Sequence, residues 1–223
     1  MAIHTEVRAG SYIRGVADVR VRDDSELVIR MADSDLVYTV PYDMNKSGLV
    51  EDGMYRITLA SDGSQLFGIV PLSGQFIVRY DGMVAQEGQL PTPKEVKGGE
   101  RKRKDGKGKW MAPDYLAFTV LLRVLSVNNK RMTIPFQLNY SFEQYKDTNE
   151  TNIPLGNASL DRTDNFLRTA GMDYSTDVIP WSSNVLPAVD KLLRERNVKF
   201  SIIMKNGYVD QVFPVPPVVA DDD

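Results

Sequence analysis

Residues 131–142 read RMTIPFQLNYSF. Met132, Ile134, Phe136, Leu138, Tyr140 and Phe142 fall on one side of an extended chain, and Arg131, Thr133, Gln137, Asn139 and Ser141 on the other. Side chains alternate across a strand, so this period of two calls for a sheet with one buried face and one wet face. Pro135 has no N–H to give to a ladder, which places the strand at an edge or at a bulge. The preceding stretch, DYLAFTVLLRVLSV (114–127), sets Leu116, Phe118, Val120, Leu122 and Val124 on one face. Its other face is the mixed set Tyr115, Ala117, Thr119, Leu121 and Arg123, as a more central strand would have. A tight turn at Asn128–Asn129 joins the two, and QFIVRYDGMV (75–84) supplies a third strand.

More strands flank this centre. Val19 and Val21 alternate with Arg20 and Arg22, an exposed strand. ELVIRM (26–31) and LVYTVP (36–41) flank a polar turn, and MYRITLA (54–60) and QLFGIV (65–70) flank SDGS, so both pairs read as hairpins. Asp62–Gly63 supplies the positive φ that a tight hairpin needs. Pro71 to Gly74 marks a soft boundary. Beyond residue 158, SLDRTDNFLRTA (159–170) reads as a helix with Ser159 as N-cap and Gly171 at C′. Leu160, Phe166, Leu167 and Ala170 form its inner stripe. NVLPAVDKLLRER (184–196) reads as a second helix, capped by Asn184, with Val185, Leu186, Val189, Leu192 and Leu193 facing inward. VKFSIIM, a Lys-Asn-Gly turn and YVDQVF close the chain as a hairpin, because Asn-Gly favours the backbone of a two-residue turn. Many strands followed by helices and a last hairpin make a β-rich α+β chain.

Bulk properties narrow the function. The hydrophobic share is 42% and the charged share 26%, ordinary for a globular chain. No apolar run is long enough to span a bilayer, and the N-terminus lacks the apolar core of a secretory signal. There is no cysteine, which removes disulfides, thiolate zinc sites and cysteine nucleophiles. The one histidine, His4, stands alone, so histidine triads and metal clusters lack support. Asp161 and Asp164 share a helix face, where a metal or simple helix-start capping would account for them. Gly106-Lys107-Gly108-Lys109 lacks P-loop spacing. No catalytic residue, metal ligand or cofactor site is expected.

Charge carries the sharper signal. Residues 94–109 hold eight Lys/Arg against three acids, a local excess of five positive charges, and the rest of the chain carries a net −8. The cations are Lys94, Lys97, Arg101, Lys102, Arg103, Lys104, Lys107 and Lys109, on a glycine-rich stretch (88–113) read as a long flexible loop. Such an arm can follow a phosphate backbone without reading sequence, although a solvated loop has the same composition. Trp110 and Tyr115 follow the arm, as stacking platforms do in single-strand binders. Tyr80, Phe118, Phe136, Tyr140 and Phe142 read as core. The Pro-rich end closes on Asp221, Asp222 and Asp223, a docking point for a protein partner or simply a polar terminus.

The order of features in residues 75–213 resembles a group of phage proteins with an OB-like fold that bind single-stranded DNA. The strand QFIVRYDG, a charged loop, YLAFTVLLRVLS, MTIPFQLNYSF, helices ending LRTAGM and VDKLLRERNVKFSIIM, and the hairpin NGYVDQV carry the resemblance. Two departures stand out. Asn128-Asn129-Lys130 replaces a usual glycine, and residues 1–70 have no counterpart. The resemblance implies an OB-like antiparallel β-barrel with two short helices, plus N-terminal β-hairpins. The corresponding division is a hairpin region (1–72), an OB-like domain (73–213) and a Pro-rich acidic tail (214–223). It implies a non-enzymatic, sequence-independent binder of single-stranded nucleic acid in replication or recombination, in the host cytoplasm, with room for a homo-oligomer. Arg79 and Arg123 join the arm, Trp110 and Tyr115 as its contact residues. The alternative is a virion structural or assembly protein, a capsid, neck or tail component.

Overall fold

The computed structural model describes residues 3–6, 12–23, 25–44, 50–86, 91–102, 108–125, 132–141, 158–174, 176–177, 179, 182 and 184–215. In chain order they form β1 (Ile3–Glu6), β2 (Tyr12–Arg22), β3 (Glu26–Met31), β4 (Val37–Pro41), β5 (Gly53–Ala60), β6 (Leu66–Pro71) and β7 (Gly74–Gln86). Then come β8 (Lys94–Val96), β9 (Gly99–Lys102), β10 (Lys109–Ala112), β11 (Tyr115–Val124) and β12 (Thr133–Ser141). Helices α1 (Ala158–Thr169) and α2 (Val185–Arg196) precede the hairpin β13 (Lys199–Lys205) and β14 (Tyr208–Pro214). The fold is β-rich α+β, mostly antiparallel. No described helix is long and apolar enough to cross a membrane.

The first five-stranded sheet has the order β4-β3-β2-β5-β6. Alternation decides its buried face: Ala17 and Val19, Leu27, Ile29 and Met31, and Tyr55, Ile57 and Leu59 point inward from three neighbouring strands. The sheet curls over that face. Gly63, in the β5–β6 turn, lies so close to Tyr38 of β4 that an added Cβ would fall 2.2 Å from the ring. The β5–β6 turn and β4, from opposite halves of the sheet, therefore approach each other over that face.

The larger sheet runs β12-β11-β7-β13-β14, with β1 parallel to β7 and β8 beside β11. Strand β7 is its hub: Gly74–Arg79 pair with β13, Met83–Gln86 with β1, and Val78–Met83 with β11. Asp81 is the extra residue at a bulge opposite the Leu121/Leu122 step. A bulge bends its strand and strengthens the local twist. Pro135 sits on β12, an end strand of the hydrogen-bonded order, where its missing N–H costs no ladder bond. Val78, Tyr80, Phe118, Val120, Leu122, Ile134, Phe136, Leu138, Tyr140, Phe200 and Ile202 make the inner face, all buried.

Both helices cover that inner face. Phe166 of α1 stands edge-on to Phe136 at 5.2 Å and stacks on Phe200 at 4.7 Å. Gly171, at φ 86°, ends α1 where the N–H of Met172 reaches Leu167 O and that of Gly171 reaches Arg168 O. This pair of bonds is the Schellman ending. Helix α2 is tied to β7 by the Tyr80 hydroxyl, which donates to Asp190 Oδ1 at 2.6 Å, and Arg194 Nε donates to the same carboxylate at 3.1 Å. Burial, then the Asp190 carboxylate, pushes the Tyr80 hydroxyl well above the ordinary tyrosine range. Pro187 is accommodated in the first turn of α2, where helix N–H groups have no internal acceptor.

Five expectations change. The strand holding Val19 and Val21 is not an exposed one: β2 is central in the small sheet, with Val19 buried. The strands do not close into a barrel; β12 and β14 end the ladder order. Helix α1 reaches both of those strands instead. The Asn139 N–H donates to Thr163 Oγ1 at 2.8 Å, Arg162 to Val209 O at 2.9 Å and Asn165 to Val212 O at 2.8 Å. The stretch 88–113 is not one long loop, because β8, β9 and β10 lie within it. Asn184 precedes α2 without a side-chain cap bond, and α1 starts at Ala158, ahead of Ser159. The Asn128–Asn129 turn, Phe142 and the acidic tail with Asp221, Asp222 and Asp223 lie outside the described residues.

Candidate nucleic-acid interface

Helices fill one side of the larger sheet, so the chemistry available to a partner is on the other. Register builds that outer face. Arg79 pairs with Lys199 on one side and with Arg123 on the other. Directly paired residues point to the same face, so Lys199, Arg79 and Arg123 form one cross-strand row, and all three are exposed. Arg123 meets Asp81 at 2.8 Å across the bulge. The next row along β13 is Phe213, Ser201 and Ile77, with Phe213 43% and Ile77 36% exposed. Ser201 is buried and accepts from Gln75 Nε2 at 2.8 Å. Farther along stand Lys205 and Tyr208, paired across the last hairpin, both exposed.

Like charges directly opposite on neighbouring strands repel and destabilise a sheet. The row thus carries a standing repulsion that Asp81 relieves at one end. A chain of phosphates laid over it would convert repulsion into attraction and release counterions. Apolar and aromatic surface beside the cations suits bases as well as phosphates.

The basic arm leaves the sheet at the other end of β11. Lys94 pairs with Ala117 and Val96 with Tyr115, which sets Lys94 and Tyr115 on the same outer face as Arg123. Tyr115 is half-buried and Lys94 exposed. Six to eight strand residues separate them from Arg123, about 20–27 Å. The base of the arm is pinned. Gly98 donates to Asp114 Oδ1 at 2.7 Å, and Lys97 contacts Asp114 at 3.2 Å and also Glu95. These carboxylates, Glu95 first, raise the Lys97 pKa and occupy it as a latch. Only glycine fits at 98, since a Cβ there would lie 2.0 Å from Ala112 O. Beyond the latch the arm is a two-stranded ladder pairing Arg101 with Trp110 and Lys102 with Lys109. Lys102 is exposed. Arg103, Lys104 and Lys107 lie outside the described residues.

The structure therefore brings Arg79 and Arg123 together, sets Lys94 and Tyr115 on their face some distance away, and puts Arg101, Lys102, Lys109 and Trp110 in a ladder of their own. Sequence reasoning misses Lys199, Lys205, Phe213 and Tyr208. Their signal is present in VKFSIIM and YVDQVF, whose alternation gives each strand a polar face, but only pairing shows which strand adjoins β7. Asp164, weighed above as a metal ligand, is engaged by Arg168 at 2.8 Å. No cluster of metal-ligating side chains occurs among the described residues. No protein-family model, curated protein or solved structure matches the chain.

Proposed function

We propose that this protein binds single-stranded nucleic acid, without reading its sequence, over the outer face of the larger sheet. One observation carries the reading: Lys199, Arg79 and Arg123 stand in register on neighbouring strands despite their mutual repulsion. The sheet bends at the Asp81 bulge and its inner side is filled by helices, so the outer side is left to serve as a platform, as an OB-type sheet serves its ligand. Phosphates lie on the row, bases lie toward Ile77 and Phe213, and Lys94 and Tyr115 continue the path toward the base of the arm. The role is one of binding, with no reaction and no cofactor, in replication or recombination of the kind the phage resemblance implies.

Anisotropy of a fluorescent oligo-dT of about 30 nucleotides, longer than a single site of this kind, tests it across a salt series with duplex DNA as control. Binding should weaken steeply with salt and favour the single strand. The double variant Arg79→Ala, Lys199→Ala should reduce the salt slope by about 0.7 for each phosphate that is no longer neutralised. Absence of binding at low salt defeats the reading. Rings or tubes in electron micrographs of the same sample would then favour the virion-assembly alternative.

A further inference from the structure

The last hairpin joins the outer face of the larger sheet to the small sheet. Asn206 and Gly207 both take positive φ, 53° and 75°, as a tight two-residue turn requires. The turn docks on the other sheet: Gly207 donates to Leu72 O at 2.9 Å, and Leu72 in turn donates to Met54 O at 3.3 Å. The Arg56 side chain of β5 packs on Gly207, where an added Cβ would lie 3.0 Å away. Its guanidinium then lies over the Tyr208 ring, 4.0 Å from the centroid. Even so, Tyr208 is 58% exposed. Tyr208 shares its face with Lys205, Ile203 and the Lys199 row, because the register of β13 and β14 carries that face along the hairpin.

We propose that Tyr208 is a base-stacking platform held in place by Arg56, so the small sheet completes the single-strand site. The inference rests on the function proposed above and extends it by about 20 Å along β13, from Lys199 to Lys205. Three observations favour a base as the occupant. The ring is 58% exposed, so it has aromatic surface open to a base. A guanidinium fixes its plane, removing the rotamer entropy that a mobile ring would lose on stacking. Its cross-strand partner, Lys205, supplies a cation for the adjoining phosphate. Arg56 acts through Tyr208 and is a positioning residue.

The test compares wild type with Tyr208→Ala, Tyr208→Trp and Arg56→Ala, using oligo-dT and an abasic oligomer of equal length. Tyr208→Ala should weaken oligo-dT binding about tenfold, the effect of losing one stack, and leave the salt slope unchanged. Tyr208→Trp should restore affinity. Wild type should prefer oligo-dT to the abasic strand, and Tyr208→Ala should lose much of that preference. Arg56→Ala should weaken binding in the wild-type background and add little in the Tyr208→Ala background. A 5-iodouracil strand should crosslink to Tyr208. Wild-type binding that Tyr208→Ala leaves intact, with the base preference retained, overturns this inference alone. Absence of wild-type binding overturns the proposed function as well, so the two failures are distinguishable.

Discussion

The outer faces of the two sheets handle positive charge differently. On the small sheet, Arg20 lies 3.2 Å from Asp18 and 3.4 Å from Asp52, and Arg22 lies 4.0 Å from Asp23. Asp52 also accepts from the Val21 N–H at 2.8 Å, and that bond, more than Arg20, holds its carboxyl below the usual range. On the large sheet, Lys199, Arg79 and Arg123 stand in line, with Asp81 against the Arg123 end. Both faces arise from the same alternation. The difference is local: acids stand beside Arg20 and Arg22 on β2, whereas Asp81 meets the large-sheet row at its Arg123 end, and on the proposed function that row gains from an anionic partner.

The comparison can be broken at the core first. Phe166→Ala, under the large sheet, should cost about 3–5 kcal/mol in urea unfolding, and Leu27→Ala, in the small one, about 2–5 kcal/mol. One buried cluster runs through both sheets, so each variant should shift a single cooperative transition. Two separate transitions would show that the sheets are independent domains. Next in size, Arg79→Glu should weaken single-strand binding at least about tenfold, whereas Arg20→Glu should leave it unchanged. Equal losses would remove the distinction between the faces.

Smaller effects sharpen it. Tyr80→Phe leaves Asp190 with Arg194 as a partner and should cost about 1–2 kcal/mol. Alkaline titration adds a signed test. Burial pushes the Tyr42 hydroxyl up to about 12, and Tyr80 is pushed up as well. A raised folded-state pKa means the native state keeps protons that the unfolded chain releases, so stability is full below the ordinary tyrosine value and falls as pH rises through it. Tyr42→Phe should therefore flatten the decline between about pH 10 and 12. An unchanged alkaline limb would show that the Tyr42 hydroxyl is not protected. Smallest of all, Arg20→Ala should leave the urea midpoint essentially where it is, since its ion pairs are exposed.

Much of this fold was legible from local pattern. The hairpins of β3–β4, β5–β6 and β13–β14 followed from alternation broken by turn residues, and the inner stripes of α1 and α2 from helical spacing. Pairing between distant segments was not legible, because a strand's sequence fixes its faces and not its neighbour. Arg79 and Arg123 were recognisable as sheet cations, but Lys199 joins them only through the β7–β13 ladder, across 120 residues of sequence. The arm misled for a related reason. Glycine and lysine resemble a loop in composition, yet Gly98 and Asp114 close its base and a ladder forms beyond it.

Helix α1 has a further consequence, for assembly of the chain during synthesis. In chain order α1 follows β12 and precedes β14, so the order of synthesis sets an order of assembly. Thr163 can meet Asn139 of β12 as soon as α1 exists, whereas Arg162 and Asn165 wait for Val209 and Val212 of the last hairpin. Truncation within that hairpin should leave the inner face of the large sheet part-covered and yield a chain that sticks to its own copies.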